Sequence, residues 1–164
     1  MKLSDLLLVE FPSEEKAESA REILLAMQKE YRIEQGDAVI AVRDKQGRVK
    51  LNRLFRPAGR DAVPQMPWEQ LIGLLALSPP AEAARGALRD VGLGDDFTTG
   101  AARTLQSGNA ALFLLIRAAT ADTVLAALRA STGEVLRAPF DETKEEALQA
   151  MFAGARQLPG KTTN

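Results

Sequence analysis

Residues 110–119 read AALFLLIRAA, an apolar run broken only by Arg117. A run without polar alternation fits a strand buried on both faces in the middle of a sheet. Residues 6–11, LLLVEF, have the same character. Each run is followed by a segment with helical spacing and then by a shorter strand segment of mixed polarity. The chain therefore reads as two strand-helix-strand units.

In the first unit, Pro12 ends the strand and Ser13 stands where an N-cap belongs, with Glu14 and Glu15 in the first turn, where the helix dipole favours anions. Ala17, Ala20, Ile23, Leu24, Met27 and Tyr31 then recur at three- and four-residue spacing. That stripe predicts an amphipathic helix of about 18 residues. Gly36 and Asp37 mark a turn, residues 38–43 a strand, residues 44–47 a hairpin loop, and residues 48–51 a half-exposed return strand.

In the second unit, Thr120 is the expected N-cap and Asp122 lies in the first turn of a helix whose apolar residues are Ala121, Val124, Leu125 and Leu128. Gly133 suits a C-cap region, and residues 134–138 make a last short strand. Asp141 is expected to cap a C-terminal helix with Leu148, Met151, Phe152 and Ala155 on one face. Side by side, the two units predict an α+β fold: a ferredoxin-like (βαββαβ) antiparallel sheet with a central helical insertion and a C-terminal helix. The first strand of each unit should be central and the second strand of each unit peripheral. The expected organisation is one domain over residues 1–158, interrupted by a Pro-rich linker and helical insertion at about residues 53–93, with residues 159–164 a flexible tail.

The insertion begins with PAGRDAVPQMP at 57–67, where three prolines and a glycine exclude a regular element. Residues 68–77 are mostly apolar, Ser78, Pro79 and Pro80 force a break, and residues 81–88 resume in a helical composition. Gly92, Gly94, Asp95 and Asp96 form a turn, with Asp95 or Asp96 capping a short helix over residues 97–105. A ferredoxin-like sheet carries its two helices on one face, yet the central strands do not alternate as they would if the other face met water. Exposing a few hundred Å² of leucine would cost several kcal/mol at about 25 cal/mol per Å². Residues 68–88, the C-terminal helix or a second subunit must cover that face.

Composition narrows the chemistry. The 164 residues are 46% apolar and 26% charged, with a net charge of -1 and a pI near 5.6, so nucleic acid is not an expected partner. There is no His and no Cys. Transition-metal sites and acid-base chemistry near neutral pH lean on those side chains, so no cofactor, metal or catalytic residue is expected. The adjacent Asp95 and Asp96 are read as caps, because a hard cation needs more oxygen ligands than two. The closing GARQLPGKTTN resembles a phosphate-binding loop, but five residues separate Gly154 from Gly160 where the motif has four. The opening residues lack a signal-peptide apolar region, which predicts a cytoplasmic protein, with membrane association as the alternative.

Taken together, DLLLVEF (5–11), EEKAESAREIL (14–24), DAVIAVRDKQGRVKLNRLF (37–55), LIGLL (71–75), DVGLGDDF (90–97), SGNAALFLLIRAATADTVLAAL (107–128) and GEVLRAPF (133–140) resemble a bacterial family of unknown function. Its members are described as predicted membrane proteins, with ferredoxin-like halves flanking a glycine-rich hairpin insertion. The resemblance spans nearly the whole chain and implies no catalytic residues. This chain departs from it in the insertion: the longest clean apolar run is 71–77, bounded by Glu69 and by Pro79, Pro80 and Glu82. About 20 apolar residues are needed to span a bilayer, so a soluble or surface-associated member is expected.

Two sets of residues are candidates for function. Trp68, Leu71, Ile72, Leu74 and Leu75 form an apolar helix that could pack on its own sheet or on a partner protomer. Arg43, Lys45, Arg48, Lys50, Arg53, Arg56 and Arg60 form a basic patch, seven cations within 18 residues. Charge on an edge hairpin also keeps it from pairing wrongly. The expected function is a non-enzymatic interaction module that forms a homo-oligomer, a dimer or higher, through the apolar helix. Peripheral membrane binding by that helix and the basic patch, and small-ligand binding between sheet and insertion, are the alternatives.

Overall fold

In the computed structural model, β1 (Ser4–Phe11) and β4 (Ala110–Arg117) lie side by side in antiparallel register, Ser4 opposite Arg117 and Phe11 opposite Ala110. The structure describes residues 4–29, 37–44, 46, 48–55, 67–75, 86, 88–90, 92–106, 109–128, 135–140 and 142–157. β2 (Asp37–Arg43) pairs with β4 and with β3 (Val49–Phe55), and β5 (Val135–Pro139) pairs with β1. The result is one five-stranded antiparallel sheet of order β3-β2-β4-β1-β5. Both continuously apolar runs are interior strands, as a segment buried on two faces must be.

The helices are α1 (Glu14–Lys29), α2 (Trp68–Leu75), α3 (Asp95–Gln106), α4 (Ala118–Leu128) and α5 (Glu142–Gln157), and residues 86 and 88–90 are helical as well. They divide between the faces by the period of two along each strand. On one face, Leu7, Val9 and Phe11 of β1, Ile40 of β2 and Leu112, Leu114 and Ile116 of β4 meet Ala17, Ala20, Leu24 and Met27 of α1 and Ala121, Val124 and Leu128 of α4. On the other, Leu6, Leu8, Val39, Ala41, Phe113 and Leu115 meet α2, α3 and Leu148 of α5. The chain therefore covers the second sheet face with its own insertion and its own last helix.

Local chemistry explains the boundaries. The Lys16 amide donates to Ser13 Oγ at 3.2 Å, the capping bond expected at the start of α1. Asp44 Oδ1 accepts from the amides of Gln46 and Arg48, both at 2.9 Å, and the Asp44 amide donates to the Arg48 carbonyl at 2.7 Å. This aspartate-centred turn sets the β2–β3 hairpin. At the C-terminus of α3, Arg43 Nε donates to the Leu105 carbonyl at 2.8 Å and satisfies one of the orphan acceptors there.

Several expectations need correction. β3 runs to Phe55, not 51, because β2 supplies ladder partners as far as Ala38. Asp37 is the first residue of β2 and not part of a turn. α4 starts at Ala118, directly after β4, so Thr120 lies inside the helix instead of capping it. Asp95 and Asp96 are first-turn residues of α3, and the helix is closed at its start by the Thr98 amide donating to the Gly94 carbonyl at 3.1 Å. The 57–66 part of the linker, Tyr31, the break at 78–80, most of the helix expected at 81–88, Gly133, Asp141 and the tail at 159–164 lie outside the described residues.

Glycine is required where α3 and α5 close on the sheet. Gly92 has φ +96°, and its missing side chain leaves room for Lys144, whose Cδ would sit 2.6 Å from a Cβ there. Lys144 Nζ continues past it to the Pro139 carbonyl at 3.1 Å.

Candidate interaction site

Trp68, Leu71, Ile72 and Leu75 are all buried in the core beneath α2, in a cluster with Leu6, Leu8, Val39 and Phe113. The Trp68 ring is tilted 53° against Phe113 with centroids 6.1 Å apart, a favourable aromatic geometry. Four of the five residues proposed for interaction therefore pack on their own sheet. The Leu74 side chain lies outside the described residues. What α2 leaves outward is its other side: Glu69, Gln70 and Gly73.

The four described basic residues, Arg43, Arg48, Lys50 and Arg53, do not converge. Arg43 reaches inward to α3, as described above. Arg48 lies 3.6 Å from Asp44, and Lys50 lies 3.4 Å from Glu14 on α1. Those two side chains are 78% and 53% exposed, so both pairs are weak and exchange with solvent. Arg53 is different: its Nη1 sits 2.6 Å from Oδ1 of Asp37, whose side chain is wholly buried. Lys45, Arg56 and Arg60 lie outside the described residues.

Between α2 and the β2–β3 hairpin is an open groove of about 700 Å³. Val39, Val49 and Leu51 form its floor, Arg53 lies toward one end, and Trp68, Ile72 and Gly73 form the helical wall with Glu69 and Gln70. Val49, Leu51 and Arg53 face it because alternate residues of a strand share a face, while Lys50 and its partner Glu14 are on the opposite face. A Cβ on Gly73 would meet no atom of the described residues within 4 Å, which leaves space in the wall at that point. Among the described residues, nothing accepts a hydrogen bond from the buried Trp68 indole N–H.

β3 is an edge strand, and among the described residues nothing pairs with its outer side. The opposite edge, β5, is only five residues long and ends in Pro139, which limits pairing there. Beside it, Arg137 holds Asp5 through Nε at 2.7 Å and Nη2 at 2.6 Å, and Asp122 through Nη1 at 2.7 Å. The hydrogen bond that Arg137 donates to Asp122, then the one it donates to Asp5, raises the Arg137 pKa above its ordinary value. This network joins β5, β1 and α4 and is structural.

The groove was only partly legible in the sequence. The apolar residues of α2 and the alternation of residues 48–51 stood out, but Gly73 carried no signal. That alternation marks Val49 and Leu51 as one face of the strand, but not which element packs over it.

Among the described residues, no group of three or more Asp and Glu could hold a metal ion, and no helix is long and apolar enough to cross a membrane. The family described as "Protein of unknown function (DUF1269)" has a model that matches residues 62–153. No curated protein and no solved structure matches the chain.

Proposed function

The chain belongs to the DUF1269 family of proteins of unknown function, and from that premise we propose that it is a non-enzymatic interaction module which docks an extended segment of a partner chain. The docking surface is the groove between α2 and β3 together with the outer edge of β3. The observation that carries this reading is the placement of an open groove with an apolar floor directly beside a seven-residue sheet edge. An added strand can draw affinity from main-chain hydrogen bonds along such an edge and specificity from side chains seated in the groove. Burial of Trp68, Leu71, Ile72 and Leu75 shifts the expected interaction surface from the apolar face of α2 to its outer side. The absence of His and Cys from the sequence favours binding over catalysis.

The scaffold is proposed to be ferredoxin-like. Setting β3 aside, the strands run β2-β4-β1-β5, with the first strand of each strand-helix-strand unit inside and the second outside. β3 is then an addition at one edge, and α2, α3 and α5 a second helical layer. A cytoplasmic location and bacterial origin fit this reading as proposals.

A random-peptide display selection tests the site. Peptides enriched on the wild-type chain should be lost on Gly73→Trp, which fills the groove from a position with open space. No enrichment, or equal capture by both chains, would contradict the assignment.

A further inference from the structure

We infer that the segment docked at β3 is acidic, with carboxylates alternating with apolar side chains; this rests on the docking reading above. The argument starts from charge. Residues 43–60 contain seven cations and one acid, Asp44, in a chain whose net charge is -1. The hairpin at 37–55 holds five of these cations against Asp37 and Asp44, so it is net positive while the rest of the chain is negative. The buried Asp37 takes up Arg53, but Arg48 and Lys50 are held only by exposed pairs at 3.6 and 3.4 Å, which a closer carboxylate can replace.

Strand geometry places those charges. Arg48 and Lys50 share one face, and Val49 and Leu51 share the groove face. A residue directly opposite in an added antiparallel strand lies on the same face as its partner, where opposite charges stabilise and like charges destabilise. The docked strand, read from its N-terminus opposite Leu51 to Arg48, is then apolar, acidic, apolar, acidic. A second copy of this chain is a poor occupant, since pairing β3 with another β3 would set two cationic strands side by side.

The test is a capped peptide of about ten residues with the core Val-Glu-Val-Glu, titrated against the full chain by fluorescence anisotropy. A Val-Gln-Val-Gln peptide serves as the neutral control. The Glu peptide should bind about fivefold tighter at low salt, and the ratio should shrink toward one as salt rises. Lys50→Glu should reverse the preference toward a Val-Lys-Val-Lys peptide. Equal, salt-independent binding of the Glu and Gln peptides overturns the acidic partner while leaving docking at β3 standing. If none of the peptides binds, the docking reading fails and this inference with it. Two further results also overturn the inference: a concentration-dependent dimer abolished by Gly73→Trp, which assigns the edge to a second copy, or displacement of the Glu peptide by phosphatidylserine vesicles, which assigns the cations to lipid.

Discussion

Arg53 Nη1 lies 2.6 Å from Asp37 Oδ1, joining the last half of the edge strand to the first residue of its neighbour, and the Asp37 side chain has no exposed surface. Removing Arg53 takes a close countercharge away from a buried carboxylate. Arg53→Ala should therefore cost about 3 kcal/mol of stability, read by urea denaturation. Arg53→Ala paired with Asp37→Asn should recover part of that loss. If Arg53→Ala is neutral, the pair does not hold β3 to β2.

The apolar side of α2 gives a prediction that separates core from interface. Leu71→Glu with Leu75→Glu places two carboxylates in a site with no exposed surface to spare. Burying unpaired charge outweighs a typical total stability of about 5–15 kcal/mol. The double variant should lose its near-ultraviolet circular dichroism. A folded double variant with an altered oligomeric state would instead place these leucines at an interface.

How much of this was legible beforehand depends on how local the cause is. β1 and β4 were readable because burial on both faces writes itself as an unbroken apolar run, and α1 because its stripe and Ser13 cap lie within one element. Asp37 was misread because it follows Gly36, and its true partner, Arg53, is sixteen positions away across a hairpin. The start of α4 was misplaced because the chain turns directly from β4 into a helix at Ala118, with no capping residue to mark the junction. The groove depends on where α2 comes to rest over β3, which no spacing in either segment encodes.

Gly92 adopts φ +96° under the Lys144 side chain. A side chain there is strained by the backbone itself, and Gly92→Ala should destabilise the fold by roughly 1–2 kcal/mol. The shift in the urea midpoint at constant slope measures it. No change would mean that the turn into α3 relaxes freely.

Gly73 makes the opposite case. It sits inside α2 with open space around its missing Cβ, so Gly73→Ala should stabilise by about 0.5–1 kcal/mol through helix propensity. Thermal unfolding would show a higher midpoint. A lower midpoint would imply that the helix needs glycine at this point of the groove wall.

The central claim, that the outer edge of β3 accepts an added strand, is tested most directly by residue-resolved amide hydrogen exchange with and without the Val-Glu-Val-Glu peptide. Alternate amides across Val49–Phe55 should become protected when the peptide is bound, because in a strand every second N–H points to the open side. Unchanged exchange along β3 at saturating peptide would contradict the claim.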